Sequence, residues 1–255
     1  MEPNNKETVH THTPSEWLDS AVPTKARDML SQGIWPDSCI KCKSEEESNI
    51  QSMRQKPREY GPGIGHLDLR FSNSCNLSCT MCSPISSSSI AKEHRDLISQ
   101  GYESPWNNSS SVDLVSWYDN VKGDFFANLP DLKEIYLTGG EPMMVRHLDK
   151  FLEKLDSSVC LRFNTNGTII NPKVFNQLKR FKYVNMCFSI DGIGKVNDYI
   201  RWGSNWEDIQ TNIKRYSEIA DVNVGPTIQV MNVLYYDELE DWCKENNYKI
   251  YDNIL

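Results

Sequence analysis

The sequence has no apolar run near the roughly 18 residues that a membrane-spanning helix requires. Its first residues, Met1 to His10, are polar and carry no apolar signal-peptide core. It has no basic excess either: 27 lysines and arginines face 35 aspartates and glutamates, a formal charge of −8. That argues against a sequence-independent nucleic-acid binder, which needs a basic face, while leaving room for a local basic pocket. No internal repeat or low-complexity segment stands out. The expectation is a cytoplasmic protein with neither a membrane nor a nucleic-acid partner. At 255 residues, 38% of them hydrophobic, the chain has material for one large domain and a short appendage.

Cysteine is not scarce. A cytosolic chain of this size does not need disulfides, yet eight cysteines are present. Five of the eight fall in two tight groups, Cys39/Cys42 and Cys75/Cys79/Cys82, a grouping that in a reducing compartment points to metal binding. Cys160, Cys187 and Cys243 are scattered through apolar stretches and read as small buried hydrophobes.

Residues 1–60 are polar and read as an N-terminal extension, with one helix expected over Pro23–Gln32 and a turn over Gly33–Asp37. Residues 61–255 read as the main domain. Gly61-Pro62-Gly63-Ile64-Gly65 is a breaker cluster and linker. It superficially matches a phosphate loop, but no strand precedes it and no helix opens from it. Strands are expected at His66–Phe71, Glu134–Leu137, Cys160–Asn164, Val184–Ile190, Thr227–Val233 and Tyr248–Tyr251. Helices are expected at Ser86–Ser99, Asp113–Ala127, Val145–Leu155, Pro172–Arg180 and Asp237–Glu245, and along the stripe Trp206, Ile209, Ile213, Tyr216, Ala220. That stripe reads as a helix packed on a sheet, in preference to a partner-binding face. Strand–helix alternation gives an α/β fold with a parallel sheet, whose functional residues gather at the carboxyl ends of the strands.

The sharpest local signal is Cys75-Asn76-Leu77-Ser78-Cys79-Thr80-Met81-Cys82, three thiols within eight residues directly after the first strand. Thiolates suit iron–sulfur clusters and zinc. Structural zinc sites want four protein ligands, and the local count is three. Three ligands on a four-iron cube leave one iron open, the mark of a reactive site.

Here the residues resemble the radical S-adenosylmethionine superfamily. The Cys-x3-Cys-x2-Cys pattern after a first strand is that family's signature, and further motifs follow in order. Leu137-Thr138-Gly139-Gly140-Glu141-Pro142 matches its Gly-Gly-Glu motif, Asn164-Thr165-Asn166-Gly167 follows the third strand, and Ser189-Ile190-Asp191-Gly192 ends the fourth, with Arg201 beyond. The resemblance implies a partial (β/α)6 barrel in which Cys75, Cys79 and Cys82 hold a [4Fe–4S] cluster and S-adenosylmethionine binds its open iron. One electron from an external donor then cleaves the cofactor, and the resulting 5′-deoxyadenosyl radical takes hydrogen from a substrate that the sequence does not identify, a peptide being favoured.

The same resemblance places Gly139, Gly140 and Glu141 at the methionine end of the cofactor and Met81 near the adenine, unless Met81 simply packs. Ser189 and Asp191 fall to the ribose, unless Asp191 caps an ordinary turn. Arg201 falls to the carboxylate by its planar fork, unless it pairs with Asp198 or Glu207. Asn164, Asn166 and Gln229 are further candidates for the pocket wall.

The segment Trp35-Pro36-Asp37-Ser38-Cys39-Ile40-Lys41-Cys42, with Glu45 and Arg54 after it, resembles a subgroup carrying a "twitch" extension before the barrel. Such modules hold a second, auxiliary iron–sulfur cluster. Cys39 and Cys42 supply two ligands, leaving the rest absent, provided by His10 or His12, or lost with a missing upstream region. The chain begins 38 residues before Cys39 and stops just after the sixth expected strand, so a shortened or incomplete member is expected. Two alternatives stay open: a zinc-binding structural module using Cys39, Cys42 and two later cysteines, and a degenerate member that binds the cluster without turnover.

Overall fold

The computed structural model describes residues 11–55, 63–106, 129–251 and 253–254. The expected helix at Asp113–Ala127, and His10, lie outside the described residues. The described chain forms two compact units: residues 11–55 with 63–65 and 129–132, and residues 66–106 with 133–251 and 253–254.

The first unit holds helices α1 (Pro14–Leu18), α2 (Ala21–Ser31) and α3 (Ile40–Glu47). A capping box opens α1: Thr13 Oγ1 accepts from Glu16 N, and Glu16 accepts from Thr13 N. The turn expected after α2 is followed by a one-turn 3₁₀ helix, Asp37–Cys39, that leads into α3. Glu46 is the anchor here. It accepts from Ser52 Oγ at 2.6 Å and pairs with Arg54, whose guanidinium lies 4.9 Å over the Trp35 ring. Gly63, in the glycine-rich breaker, donates its N–H to Asp131 Oδ2 at 3.1 Å.

The second unit is an α/β layer. Its elements are β1 (His66–Arg70), α4 (Ser88–Ser99), β2 (Glu134–Thr138), α5 (Leu148–Glu153), β3 (Cys160–Thr165), α6 (Pro172–Leu178), β4 (Val184–Phe188), α7 (Lys195–Ile200), α8 (Trp206–Tyr216), β5 (Asp221–Val224), β6 (Thr227–Ile228), α9 (Tyr236–Glu245), β7 (Lys249–Ile250) and β8 (Asn253–Ile254). Six strands form one parallel sheet in the order β1-β2-β3-β4-β5-β7, while β6 and β8 pair separately. Spatial order that follows chain order makes every crossover run the same way. With right-handed connections, all helices then fall on one face, as in a barrel, and not on both, as in a doubly wound sheet. The fold is therefore the expected α/β partial barrel.

Alternation within the strands separates two faces. In register, Ile135, Leu161 and Val184 form one buried row, and Leu137, Phe163 and Met186 the next. The helices cover this face. Tyr216 of α8 packs edge-on against Phe188 and Phe175, and Phe151 of α5 against Phe71. The α8 stripe is the packed helix that its spacing predicts, with Ile209, Ile213 and Tyr216 fully buried. The opposite face is polar. It carries Asp68, Tyr136, Arg162 and Asn185 across one register row, with the Arg162 guanidinium 5.7 Å over the Tyr136 ring.

Two expectations need correction. The fifth strand is Asp221–Val224, not Thr227–Val233; only Thr227–Ile228 is extended, and it joins the small sheet. The polar residues Asp221 and Asn223 hid it. Asn223 is buried against β4, where its Nδ2 donates to Asn185 Oδ1 at 3.2 Å, and Gly225-Pro226 ends the run. Of the three scattered cysteines, only Cys243 is fully buried; Cys160 and Cys187 are half-buried on the polar face. Among the described residues no helix is long and apolar enough to cross a membrane.

Candidate functional site

The four motifs of the main domain lie at the carboxyl ends of successive strands, Asn164 and Thr165 being the last two residues of β3 and the others in the loops that follow β1, β2 and β4. The Cys75–Cys82 loop follows β1 and is fixed from two sides. On one side are the serines that open α4. Ser87 Oγ donates to Leu77 O at 2.6 Å, Ser89 Oγ donates to Cys75 O at 2.8 Å, and Cys75 N donates to Ser88 Oγ at 3.1 Å. Ser87 also caps the helix by accepting from Ile90 N. The serine run thus starts the helix and ties the loop to it. On the other side, Ser78 N and Thr80 N donate to Trp202 O and Ile200 O, both at 2.9 Å. These carbonyls flank Arg201, so the arginine is held against the cysteine loop by backbone bonds.

Cys75 and Cys79 are buried with Leu77, Met81 packs against that group, and Cys82 is exposed. Burial pushes the Cys75 thiol up to about 11, against a hydrogen bond from Leu77 N. Cys79 and Cys82 share a hydrogen bond. It pushes the two thiols apart, Cys82 down and Cys79 up, with burial raising both. The Arg201 cation favours the thiolate of both.

After β2, Gly139 and Gly140 take φ of 76° and 50°, left-handed values that favour glycine. A Cβ on Gly140 would overlap the Ser74 carbonyl oxygen and stand 2.9 Å from the Asn73 carbonyl carbon. This gives Gly140 a packing reason of its own: it lets the loop lie directly on the backbone leading to Cys75, and Glu141 N donates to Ser74 O at 2.7 Å. Glu141 is wholly buried. Its Oε1 accepts from Met143 N and Thr165 Oγ1, both at 2.9 Å, and its Oε2 from Asn166 N at 2.7 Å. Burial raises its carboxyl to about 6 against those three donors. Glu141 therefore braces the second loop to the third.

Asp191, after β4, is equally occupied. Its Oδ1 accepts from Thr227 N at 2.7 Å, and its Oδ2 lies 2.8 Å from Arg201 Nε, a buried ion pair whose N–H is poorly aligned with the oxygen. The sequence left Arg201 a choice of partners; the structure pairs it with Asp191 and not with Asp198 or Glu207. Burial works against the Arg201 charge, and Asp191 with Cys79 and Cys82 more than offsets it. Ser189 is half-buried beside this pair, its N–H donating to Thr165 O at 2.8 Å.

Several polar residues were not legible as site residues. Asn197 accepts from Asp191 N at 3.0 Å, and Asn232 donates to Asp191 O at 2.9 Å. Both hold Asp191 in place, and only tertiary contact reveals them. Cys39 and Cys42 lie in the other compact unit, half-buried at the start of α3.

The donor set suits an iron–sulfur cluster. Three thiols share one pinned loop, and a buried cation lies close enough to two of them to favour their thiolates. Among the described residues no group of three His, Cys, Asp or Glu side chains is spaced to hold a metal ion. The case for the cluster thus rests on ligand type and loop position.

Comparison with known proteins adds an independent line. The chain is 22% identical over 190 residues to GTP 3′,8-cyclase of Clostridium botulinum, an alignment covering 72% of this chain and 53% of that protein. It is 24% identical over 201 residues to the mycofactocin maturase MftC of Mycolicibacterium smegmatis, covering 75% and 45%. The chain spans about half the length of the curated relatives it matches. Among solved structures, Streptococcus suis SuiB bound to its precursor peptide SuiA superposes with a TM-score of 0.51 at 15% identity, over 85% of this chain and 51% of that one. SuiB bound to S-adenosylmethionine gives a TM-score of 0.50 at 17% identity, over 91% and 50%. At such identity the likeness is one of fold. A family model, however, matches residues 69–245, a stretch that takes in all four motif loops, and on that match the chain belongs to the Radical SAM superfamily.

Proposed function

We propose that this chain is a radical S-adenosylmethionine enzyme in which Cys75, Cys79 and Cys82 hold a [4Fe–4S] cluster. The observation that carries the reading is the three-thiol loop after β1, pinned by Ser87–Ser89 and by the carbonyls on either side of Arg201. When bound, cluster and cofactor supply a one-electron cleavage of the sulfonium that yields a hydrogen-abstracting 5′-deoxyadenosyl radical. The chain's own residues position and shield. Gly139 and Gly140 offer backbone groups to the methionine end, while Glu141 keeps that loop in register with Thr165 and Asn166. Met81 covers the adenine side, and Ser189 offers a hydroxyl to the ribose. Asp191 and Arg201 act as a pair: each neutralises the other in a buried place, and the guanidinium keeps further N–H groups for a carboxylate.

A peptide is the substrate class we favour. SuiB, which shares the fold, is seen with a precursor peptide, and on the polar face of the sheet the half-exposed Arg162 guanidinium offers N–H groups to an extended chain. An external one-electron donor and a cytoplasmic, reducing address belong to the same reading. The N-terminal extension, residues 1–60, is read as a twitch-type module, with Cys39 and Cys42 offering two thiols to a second cluster.

The test is anaerobic reconstitution of the full chain. The trio binds about four irons, and dithionite with S-adenosylmethionine releases 5′-deoxyadenosine. Cys79→Ala abolishes both. Product formation that survives this substitution, or tightly bound colourless zinc in place of iron, would sink the assignment.

A further inference from the structure

Asn166 is a candidate for the wall of the cofactor pocket, but its amide is spoken for within the protein. The residue is 7% exposed. Its Oδ1 accepts from Thr168 N at 3.0 Å and from Thr168 Oγ1 at 2.7 Å. Its Nδ2 donates to Asn76 Oδ1 at 3.0 Å and to Cys75 Sγ at 3.8 Å. An amide has two lone pairs on oxygen and two hydrogens on nitrogen, and all four are used. The orientation is fixed, because the Thr168 backbone N–H can only donate and so must face the oxygen. Asn76 closes the ring by donating its Nδ2 to Thr168 Oγ1 at 2.9 Å. The backbone of Asn166 is fixed as well, by its bond to Glu141 Oε2.

We infer that Asn166 is a positioning residue that directs an N–H at the sulfur of Cys75 and thereby makes a cluster held there easier to reduce. This rests on the ligation proposed above. An N–H aimed at a ligating sulfur withdraws electron density from it and stabilises the state with one more negative charge, so the reduction potential rises; hydrogen bonds to the sulfurs are a main control of cluster potential. The other bonds of the ring serve that aim. Thr168 selects the face, Asn76 takes the second hydrogen, and Glu141 holds the backbone.

The experiment is a redox titration of the reconstituted full chain without S-adenosylmethionine, followed by electron paramagnetic resonance. Asn166→Asp keeps size and shape but replaces the donor with an acceptor, and its midpoint shifts to more negative potential at wild-type iron content. Should that variant take up no iron, Asn166→Ala removes the donor without adding charge, and the same negative shift is expected. Thr168→Val is the control: it breaks two bonds of the ring but leaves the Thr168 N–H to orient the amide, so its midpoint stays at the wild-type value. An unmoved midpoint in iron-replete Asn166→Asp or Asn166→Ala overturns the inference. So does an equal shift in Thr168→Val, which marks mere loosening. Neither outcome touches the ligation itself, which fails only if the unsubstituted chain binds no iron through its trio.

Discussion

The two cysteine groups of this chain are held in different ways. The trio sits in an irregular loop whose carbonyls and N–H groups are taken up by Ser87–Ser89 and by residues 200 and 202, with Asn166 reaching one sulfur. Cys39 and Cys42 ride on the first turn of α3, where the helix itself is their frame and Arg54, tied to Glu46 and Trp35, is the charged neighbour. Both groups are short-spaced in sequence. What separates them is how many independent elements fix the backbone around each sulfur. Loops pinned from several strands hold a reactive group within tight geometric limits, as a single helical turn on the surface does not.

The largest expected effect tests that contrast directly. Cys79→Ala drops bound iron at the trio and 5′-deoxyadenosine release to background, whereas Cys39→Ala with Cys42→Ala keeps the about four irons of the trio; iron and sulfide assays on both proteins decide it. Next come two glycines with left-handed backbone, one from each unit. Gly140→Ala meets the backbone of Asn73 and Ser74 and is expected to cost about 3 kcal/mol or more, with loss of the cluster loop. Gly33, with φ of 74°, has nothing within 4 Å of the place a methyl group would take, so Gly33→Ala is expected to cost only about 1 kcal/mol. Denaturant unfolding followed separately in each variant measures both.

A smaller effect is expected at the buried brace. Glu141→Gln replaces one acceptor oxygen with a donor facing other donors and costs about 2 kcal/mol. Its pH dependence has a definite sign. The carboxyl is held up at about 6, above its ordinary 4.5, so the fold favours the neutral form. The stability from this group is complete below pH 4.5 and is lost as pH rises through about 6, by about 2 kcal/mol. The Gln variant lacks that decline, and unfolding midpoints at pH 4.5 and 7 compare the two. Smallest of all is Arg54→Gln in the first unit. Arg54 is half-exposed and Glu46 keeps its bond from Ser52, so thermal unfolding is expected to move little and the iron of the trio not at all. A large effect there would mean that the first unit is built around that contact more than its exposure implies.

Much of this fold was legible in the sequence. The first four strands, the α8 stripe and the serine start of α4 each follow from a local period or cap. The fifth strand was not, because Asp221 and Asn223 speak against a strand until Asn185 is seen beside them. The motif loops were legible as positions, and the family match agrees with them. What their side chains do was not. Glu141 and Asp191 read as ligand contacts, yet each is engaged by donors from a different loop. Such partnerships depend on which strands become neighbours, a fact that no local window contains.

The bonds from Ser78 and Thr80 to Trp202 and Ile200 also impose an order of assembly. A nascent chain emerging from the ribosome displays its thiol trio long before α7 exists to clasp it. Until the fourth strand has been made and its successor helix has folded back, the loop that carries those sulfurs lacks one of its two clasps. Delivery of the right inorganic partner is thus a problem of timing as well as of affinity.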